Sequence, residues 1–343
     1  MRFRIEKDFF SSFDEKTGAY IRIGTGKDGK EPFMSSFPEL LDVGIMGHCK
    51  HGKLGLCLQA GVECYQNGLK ATAPNMTIED FAEIAGQCRG RTYQFALGGC
   101  GDPDQHENFA EILQICRENK IVPNYTTSGL GVTDETAALT HEYCGAVAVS
   151  WYRSDYTLRA LERFMKAGVK TNIHFVLSKK SINEAFHLVS QEGFPDGVNA
   201  VVFLLHKPVG LGTHENVLAI NDIKEFITLV TTHTFKYKIG FDSCTVPALV
   251  NNLGLIDADS LDTCEGARWS AYITPDMKML PCSFDNQQRR WSVDLRSNTI
   301  KEAWDSEIFE DFRNRLRTAC PDCEKRELCM GGCPICPEIV LCN

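Results

Sequence analysis

The segment CPDCEKRELCMGGCPICPEIVLC (residues 320–342) carries six cysteines at short, regular spacings. A hydrophobic core does not need thiols at this density. Zinc ions and iron–sulfur clusters do, because several thiolates must converge on one small centre. The segment therefore predicts a metal centre near the C-terminus, and the other cysteines among the 16 in the chain become candidates for further centres.

The composition places the chain among water-soluble globular proteins. Of its 343 residues, 43% are hydrophobic and 24% are charged, which is ordinary for such proteins. The net charge of −9 argues against nucleic acid or an anionic membrane as the main partner. The N-terminal segment has no apolar signal-peptide core, so we expect a cytoplasmic protein. In a reducing cytosol, clustered cysteines favour metal binding over disulfides.

Strand and helix patterns alternate upstream of the cysteine-rich tail. Six predicted strands and five intervening helices indicate an α/β fold with a parallel sheet, and six strand–helix units predict a partial (β/α)6 barrel of the TIM-like kind. The predicted strands are residues 40–46, 92–97, 121–127, 146–152, 171–177 and 200–206, and the predicted helices are residues 78–88, 107–119, 134–144, 157–168 and 182–193.

The flanking segments complete the predicted architecture. Residues 1–37 are expected to form a short β-rich lead-in, with a strand at residues 20–24. A further helix at 221–233 and a strand at 236–242 lead into the tail. There, residues 269–284 predict a hairpin turning at Pro275-Asp276, and residues 301–318 predict one helix.

Polar and glycine residues follow successive predicted strands. Cys49 comes directly after the first strand, the turn GGCGDP (98–103) after the second, Ser128 after the third and Ser150 at the end of the fourth. In parallel barrels the chemistry gathers at the C-terminal ends of the strands. We therefore expect these residues to meet at one site. Glycines that only form tight turns are the alternative for any single loop.

The tail resembles the SPASM domain of radical S-adenosylmethionine (SAM) enzymes, and the resemblance extends over residues 38–343. Cys264, the pair Pro281-Cys282 and the Cys-x2-Cys-x5-Cys-x3-Cys run from Cys320 to Cys333 match the SPASM pattern. Met277 stands where the family's hairpin usually has glycine. The resemblance implies a radical SAM partial barrel at residues 38–238 and a SPASM-type domain at residues 239–343.

The resemblance also implies which cysteines hold two auxiliary [4Fe–4S] clusters. Cys244, Cys264, Cys282 and Cys333 would hold one. The other would be held by Cys320, Cys323, Cys329 and a last ligand, which is Cys342 or, alternatively, Cys336. We favour Cys342, since Cys336 lies close behind a ligand of the first cluster. A zinc ribbon at residues 320–333 is the competing interpretation of the tail.

The SAM-binding cluster would be held by Cys49, Cys57 and Cys64. Their spacing, Cys-x7-Cys-x6-Cys, is longer than the Cys-x3-Cys-x2-Cys usual in the family. We interpret it as an expanded loop, because the chemistry needs three convergent thiolates and leaves one iron open for SAM. A degenerate site with one core cysteine is the alternative.

The turn GGCGDP resembles the family's Gly-Gly-Glu-Pro motif, which meets the methionine end of SAM. The resemblance thus implies SAM contacts from Gly98, Gly99, Gly101, Asp102, Ser128 and Ser150, with Asp102 in place of the usual glutamate. The catalytic acid or base is not identified by the sequence.

The implied activity is that of an oxidoreductase acting on a ribosomally made peptide. Three [4Fe–4S] clusters and SAM would generate a 5′-deoxyadenosyl radical, leading to a crosslink, thioether, oxidation or epimerisation. Flavodoxin or ferredoxin would donate the electron. The first barrel strand begins near residue 40, so we expect no N-terminal recognition domain and recruitment of the peptide by a separate protein or by the N-terminal segment.

Other functions stay open at this stage. Modification of a small metabolite is one. Sulfatase maturation is another, although Ser283 stands where those enzymes have an aspartate after Pro-Cys. A non-catalytic iron–sulfur or zinc scaffold is a third.

Overall fold

A computed structural model describes residues 1–250, 256 and 261–342. In this part of the chain the strands form a three-stranded antiparallel sheet, with order β1-β2-β3, and a ten-stranded sheet, with order β10-β9-β8-β7-β6-β5-β4-β11-β12-β13. The strands are β1 (Arg2–Ile5), β2 (Phe9–Phe13), β3 (Tyr20–Gly24), β4 (Leu40–Met46), β5 (Gln94–Gly99), β6 (Val122–Thr127), β7 (Val147–Ser150), β8 (Thr171–Leu177), β9 (Ala200–Leu205), β10 (Lys238–Phe241), β11 (Ser270–Ile273), β12 (Lys278–Leu280) and β13 (Val293–Asp294).

Helices connect the parallel strands and cover the outer face of the large sheet. The described helices are α1 (Lys50–Lys53), α2 (Leu56–Gln59), α3 (Ile78–Cys88), α4 (Phe109–Glu118), α5 (Asp134–Tyr143), α6 (Asp155–Lys166), α7 (Ile182–Ser190), α8 (Ile220–Thr232), α9 (Val246–Leu249), α10 (Ile300–Trp304), α11 (Glu307–Thr318) and α12 (Arg326–Cys329). The helix α3 shows why they form: Thr77 caps it by accepting a hydrogen bond from the Asp80 amide, and Phe81 and Ile84 fall on the buried face.

Strands β4 to β10 are all parallel, which confirms the predicted α/β fold with its partial barrel. Alternate residues along each strand point to opposite faces. The outward residues are large and apolar, such as Phe95 and Phe203, and belong to the hydrophobic core. Several inward residues are small or polar, among them Ala96, Asn124 and Asn172. This alternation leaves a lumen inside the barrel.

The C-terminal hairpin extends the barrel sheet. The strands β11 and β12 form the predicted antiparallel hairpin, and β11 also pairs in parallel with β4, with Tyr272 opposite Asp42. At the turn, Met277 has φ +64, a backbone conformation that favours glycine, at the position where the family pattern has one. The pairing of β11 with β4 joins the hairpin to the first barrel strand.

The predicted helix at 301–318 is wrong in one respect, because the structure has two helices there, α10 and α11. Ser306 interrupts them: its hydroxyl donates to the carbonyl oxygen of Ala303 and accepts from the amide of Phe309. A serine placed in this way caps a new helix rather than continuing the old one.

The N-terminal sheet packs against the rest of the fold through buried polar and aromatic contacts. The Ser11 hydroxyl donates to the Glu39 carboxylate at 2.8 Å, and the ring of Phe9 meets that of Trp269 edge-on at 5.3 Å between centroids. Within the described residues, we find no helix with the length and apolarity needed to cross a membrane.

Candidate iron–sulfur and SAM site

The first thiol set follows β4 directly. Cys49 caps α1, its sulfur accepting a hydrogen bond from the Gly52 amide at 3.0 Å. Burial, with smaller contributions from the charges of Asp102, Cys64 and Cys57, raises the pKa of Cys49 to about 12. Cys57 and Cys64 likewise lie within electrostatic reach of each other. The structure therefore places the three thiols near one another, in spite of their long spacing.

The loop that separates these cysteines is fastened to the barrel. The buried imidazole of His51 packs against the tilted ring of Tyr152, with 4.4 Å between centroids, and forms a hydrogen bond with the Tyr156 hydroxyl at 2.7 Å. Arg153 donates to the carbonyl oxygen of Ala60 at 2.9 Å. Glu63 accepts hydrogen bonds from residues that follow β9, which lowers its pKa to about 2 in spite of burial. These contacts give the expanded loop a fixed path.

The glycine-rich turn after β5 packs tightly against the backbone that leads to Cys49. A Cβ on Gly99, which has φ +112, would lie 2.4 Å from the carbonyl oxygen of Met46. A Cβ on Gly101 would lie 2.3 Å from the carbonyl oxygen of His48. Both positions therefore exclude side chains, and the turn is held against the start of the first thiol set.

Asp102 is buried and bound to Ser128. Its carboxylate accepts hydrogen bonds from the Ser128 amide at 2.7 Å and the Ser128 hydroxyl at 2.6 Å. Burial raises the pKa of Asp102, whereas these two bonds favour its charged form. The loops after β5 and β6 are thus joined by one carboxylate.

One cavity of about 260 Å³ unites most of the predicted site at the carboxyl ends of the strands. Cys57 is absent from its wall. Of the predicted residues, Cys49, Cys64, Gly98, Gly99, Gly101, Asp102, Ser128 and Ser150 line it.

The same cavity has polar residues that the sequence interpretation missed. Asp42 lines it, and burial together with Glu265 raises the pKa of Asp42 to about 7. The Tyr272 hydroxyl and the Gln66 amide nitrogen also lie at this cavity, buried and without a hydrogen-bond partner among the described residues. The signal for Asp42 was present, since it is the one charged residue in the apolar strand LLDVGIM. Nothing in the sequence pointed to Tyr272 or Gln66.

The second thiol set lies where the barrel meets the C-terminal hairpin. Cys282 is within electrostatic reach of Cys244, Cys264 and Cys333, and burial raises its pKa well above the usual value. Cys264 and Cys333 in turn act on Cys244. The structure therefore brings together the four cysteines that the resemblance assigns to one auxiliary cluster.

The third thiol set surrounds a separate cavity of about 380 Å³, lined by Cys320, Cys323, Cys329 and Cys342. Cys336 is not in this wall. It is 1% exposed, and its amide donates to the sulfur of Cys333 at 3.4 Å.

The donor sets suit iron–sulfur clusters because they consist of soft thiol ligands, and in the third set four thiols line one cavity. Among the described residues, we find no group of three or more His, Cys, Asp or Glu side chains arranged to hold a single metal ion.

Asp285 is the nearest carboxylate after the Pro281-Cys282 pair. It accepts hydrogen bonds from the amides of Arg290 at 3.1 Å and Trp291 at 2.9 Å. It is therefore occupied by its own turn, whereas Ser283 lines the cavity.

Comparison with known proteins agrees with the fold and with an iron–sulfur domain in the C-terminal part. Residues 264–325 match the SPASM family, an iron–sulfur cluster-binding domain. Among curated protein sequences none matches significantly. Streptococcus suis SuiB bound to precursor peptide SuiA superposes with a TM-score of 0.68 at 16% identity, over 88% of this chain and 73% of that chain.

Two further structures share the fold. SuiB bound to S-adenosylmethionine gives a TM-score of 0.67 at 16% identity, over 88% of this chain and 74% of that chain. Native anSMEcpe with bound AdoMet and the Cp18Cys peptide gives 0.62 at 17% identity, over 87% of this chain and 90% of that chain. The chain therefore has the partial-barrel fold of the radical SAM type and carries a C-terminal SPASM domain.

Proposed function

We propose that the chain is a radical SAM oxidoreductase that modifies a ribosomally made peptide. The observation that carries this proposal is the single cavity shared by Cys49, Cys64, the glycine-rich turn, Asp102 and the serines after β6 and β7. With the cofactors bound, this site would supply a 5′-deoxyadenosyl radical that removes a hydrogen atom from the substrate.

The protein's own residues have separable roles in this proposal. Cys49, Cys57 and Cys64 hold the SAM-binding cluster. The backbone of the turn at Gly98, Gly99 and Gly101 receives the methionine end of SAM. The turn packs so tightly against the neighbouring backbone that only glycine fits at the last two of these positions. Asp102 keeps the turn in register with Ser128 through their two hydrogen bonds, and Ser150 lies across the same cavity.

The two other thiol sets hold auxiliary clusters, so that the chain carries three [4Fe–4S] clusters. We assign one to Cys244, Cys264, Cys282 and Cys333. The other goes to Cys320, Cys323, Cys329 and Cys342, on the support of their shared cavity. The corresponding division of the chain is a lead-in at 1–37, a barrel at 38–238 and an auxiliary domain at 239–343.

A peptide is the substrate class that the comparisons favour. SuiB has been seen with its precursor peptide and anSMEcpe with a peptide. The buried polar groups of Asp42, Tyr272 and Gln66 line the cavity. Together they offer an acceptor for an N–H group and donors for a carbonyl oxygen, which matches a peptide bond. We assign these three residues to substrate binding.

The remaining partners follow from the same proposal. The enzyme works in the cytoplasm with an external one-electron donor such as flavodoxin or ferredoxin, and a separate protein presents the peptide. Maturation of sulfatases is not favoured, because Asp285 is bonded within its own turn.

The test is anaerobic reconstitution of the full chain and of a Cys49→Ala/Cys57→Ala/Cys64→Ala variant. We expect about twelve irons per chain in the parent and about eight in the variant. After reduction with SAM, only the parent should produce 5′-deoxyadenosine. Cys88→Ala/Cys116→Ala is the matched control, because both thiols are fully buried in the hydrophobic core. A fully loaded parent that does not cleave SAM would refute the proposed function.

A further inference from the structure

Cys100 is a thiol to which the proposed clusters give no role. Eleven of the 16 cysteines are assigned to clusters, which leaves five. Among these five, Cys100 lines the 260 Å³ cavity, beside Cys49 and Cys64. The other four, all within the described part of the chain, are not in the wall of this cavity: Cys88, Cys116, Cys144 and Cys336.

Two hydrogen bonds hold Cys100 against the segments that flank the first thiol set. Its amide donates to the carbonyl oxygen of Met46 at 2.8 Å, and its thiol donates to the carbonyl oxygen of Gln66 at 3.4 Å. Met46 ends the strand that leads to Cys49, and Gln66 follows shortly after Cys64. Cys100 is therefore bonded to the backbone on both sides of the first thiol set.

Packing at two glycines shows how near Cys100 comes to Cys49. A Cβ on Gly68 would lie 3.2 Å from the carbonyl oxygen of Cys100 and 3.5 Å from the sulfur of Cys49, so a single added carbon atom would touch both residues. A Cβ on Gly101, the residue after Cys100, would lie 3.2 Å from the Cα of Cys49. The backbone at Cys100 is thus packed directly beside Cys49.

Unpaired polar groups in the wall of the same cavity indicate that a ligand fills it. Tyr272 is 2% exposed and Gln66 is 4% exposed, and both line the cavity. Within the described residues, neither the Tyr272 hydroxyl nor the Gln66 amide nitrogen has a hydrogen-bond partner. A buried polar group without a partner costs stability, so a polar ligand is needed to satisfy these two. Under the proposed function that ligand is the peptide, and Cys100 borders the space it occupies.

We propose that Cys100 donates a hydrogen atom to the carbon radical of the substrate. The inference rests on the proposed function and names its outcome. A hydrogen atom that leaves one face of a carbon and is replaced from the other face inverts that carbon, which is epimerisation. A thiol suits this step because an S–H bond is weaker than most C–H bonds. The sulfur of Cys100 carries the hydrogen that is needed, since it donates to Gln66.

The step balances with the partners already named. The 5′-deoxyadenosyl radical takes a hydrogen atom from the substrate and becomes 5′-deoxyadenosine. Cys100 then gives its S–H hydrogen to the substrate radical, which forms the new C–H bond and leaves a thiyl radical on the sulfur. An electron from the external donor and a proton from water restore the thiol. The substrate loses and regains a hydrogen atom, so it is neither oxidised nor reduced.

The experiment uses SAM as its only probe and needs no peptide. The reconstituted full chain is reduced with dithionite in heavy water, where thiols exchange to S–D and carbon-bound hydrogens do not. Without a substrate, the 5′-deoxyadenosyl radical should take deuterium from Cys100. Mass spectrometry should then find deuterium in the 5′-deoxyadenosine.

Cys100→Ala and Cys100→Ser should both lose this label. The serine keeps a donor for the Gln66 carbonyl, but its O–H bond is too strong to give up a hydrogen atom. Iron content is measured beside the label and should equal that of the parent in both variants, because Cys100 is not a cluster ligand. Cys88→Ala is the matched control: Cys88 is a fully buried core thiol, and its loss should leave the label in place.

Three results would overturn the inference alone. They are a parent that forms unlabelled 5′-deoxyadenosine, a label that persists in Cys100→Ala, and a loss of about four irons in Cys100→Ser, which would make Cys100 a cluster ligand. A label lost in Tyr272→Phe but kept in Cys100→Ser would assign the donation to the tyrosine hydroxyl and overturn it as well.

A second measurement decides if the Cys100 variants form no 5′-deoxyadenosine. A nitrone spin trap added to the parent during the reaction should be found attached to Cys100 by peptide mapping, and its absence from Cys100 would overturn the inference. A fully loaded parent that does not cleave SAM would instead refute the proposed function, and the inference with it.

Discussion

Substitution can identify the last ligand of the third thiol set. We predict that Cys342→Ser lowers the iron content from about twelve to about eight per chain, whereas Cys336→Ser leaves it near twelve. A serine hydroxyl has nearly the size of the thiol but is a poor ligand for iron at neutral pH. The substitution therefore tests ligation with little change in packing.

The expected difference in iron content follows from the positions of Cys342 and Cys336. Cys342 shares the wall of the 380 Å³ cavity with Cys320, Cys323 and Cys329. Its loss would leave one iron of this cluster without a protein ligand, and no SAM would take that position as it would at the first thiol set. Cys336 contacts Cys333 instead, through the 3.4 Å bond from its amide. Its side chain is 1% exposed and lies outside the cavity wall, so its loss should remove a packing contact only.

The assay is iron and acid-labile sulfide per chain, measured beside the electron paramagnetic resonance spectrum of the reduced protein. A loss of about four irons in Cys336→Ser, with none in Cys342→Ser, would refute the assignment. Loss in both variants would show that the segment after Cys333 folds only as a unit, and the assignment to Cys342 alone would be wrong.

Three further predictions address the fold around the site. Gly99→Ala should cost about 2 kcal/mol of unfolding free energy, since its Cβ would meet the Met46 carbonyl oxygen at 2.4 Å with φ at +112. Gly98→Ala is the control in thermal melting, because a Cβ on Gly98 would enter open space. Burial raises the pKa of Glu39 from 4.5 to about 7, so the protonated form is favoured in the fold and stability is lost as pH rises across that range. Glu39→Gln should flatten this part of the pH profile of urea unfolding. Arg313→Met should cost about 3 kcal/mol in the same assay, because two buried carbonyl oxygens that its guanidinium bonds at 2.7 Å lose their partner; a melting temperature equal to that of the parent would contradict this.

The local pattern predicted much of the fold. The strands at 40–46 and 171–177 and the helix at 78–88 were predicted with the bounds that the structure has. Each is a continuous apolar or periodic run between clear turn or capping residues, so local information is sufficient. At 301–318 the same periodicity hid a break, because one serine hydroxyl ends one helix and starts the next.

The site was predictable where chemistry fixes the residue type. Cysteines at ligand spacings and glycines after strands indicate a function by themselves. Asp42, Tyr272 and Gln66 carry no such spacing. The meeting of Asp42 with Tyr272 depends on a pairing across about 230 residues, between β4 and β11. No pattern within either strand predicts this register.

That pairing explains why the C-terminal hairpin contributes to the 260 Å³ cavity of the barrel. Because Tyr272 lies opposite Asp42 in adjacent parallel strands, both side chains point to the same face of the sheet, into the lumen. Gly44 makes room for the tyrosine, since a Cβ there would lie 2.4 Å from the Tyr272 hydroxyl. The hairpin that carries Cys282 thus completes the wall of the 260 Å³ cavity with its own tyrosine and serine. A barrel cut before residue 264 would lose that wall, so under the proposed function the thiol-rich tail shapes the substrate site as well as holding clusters.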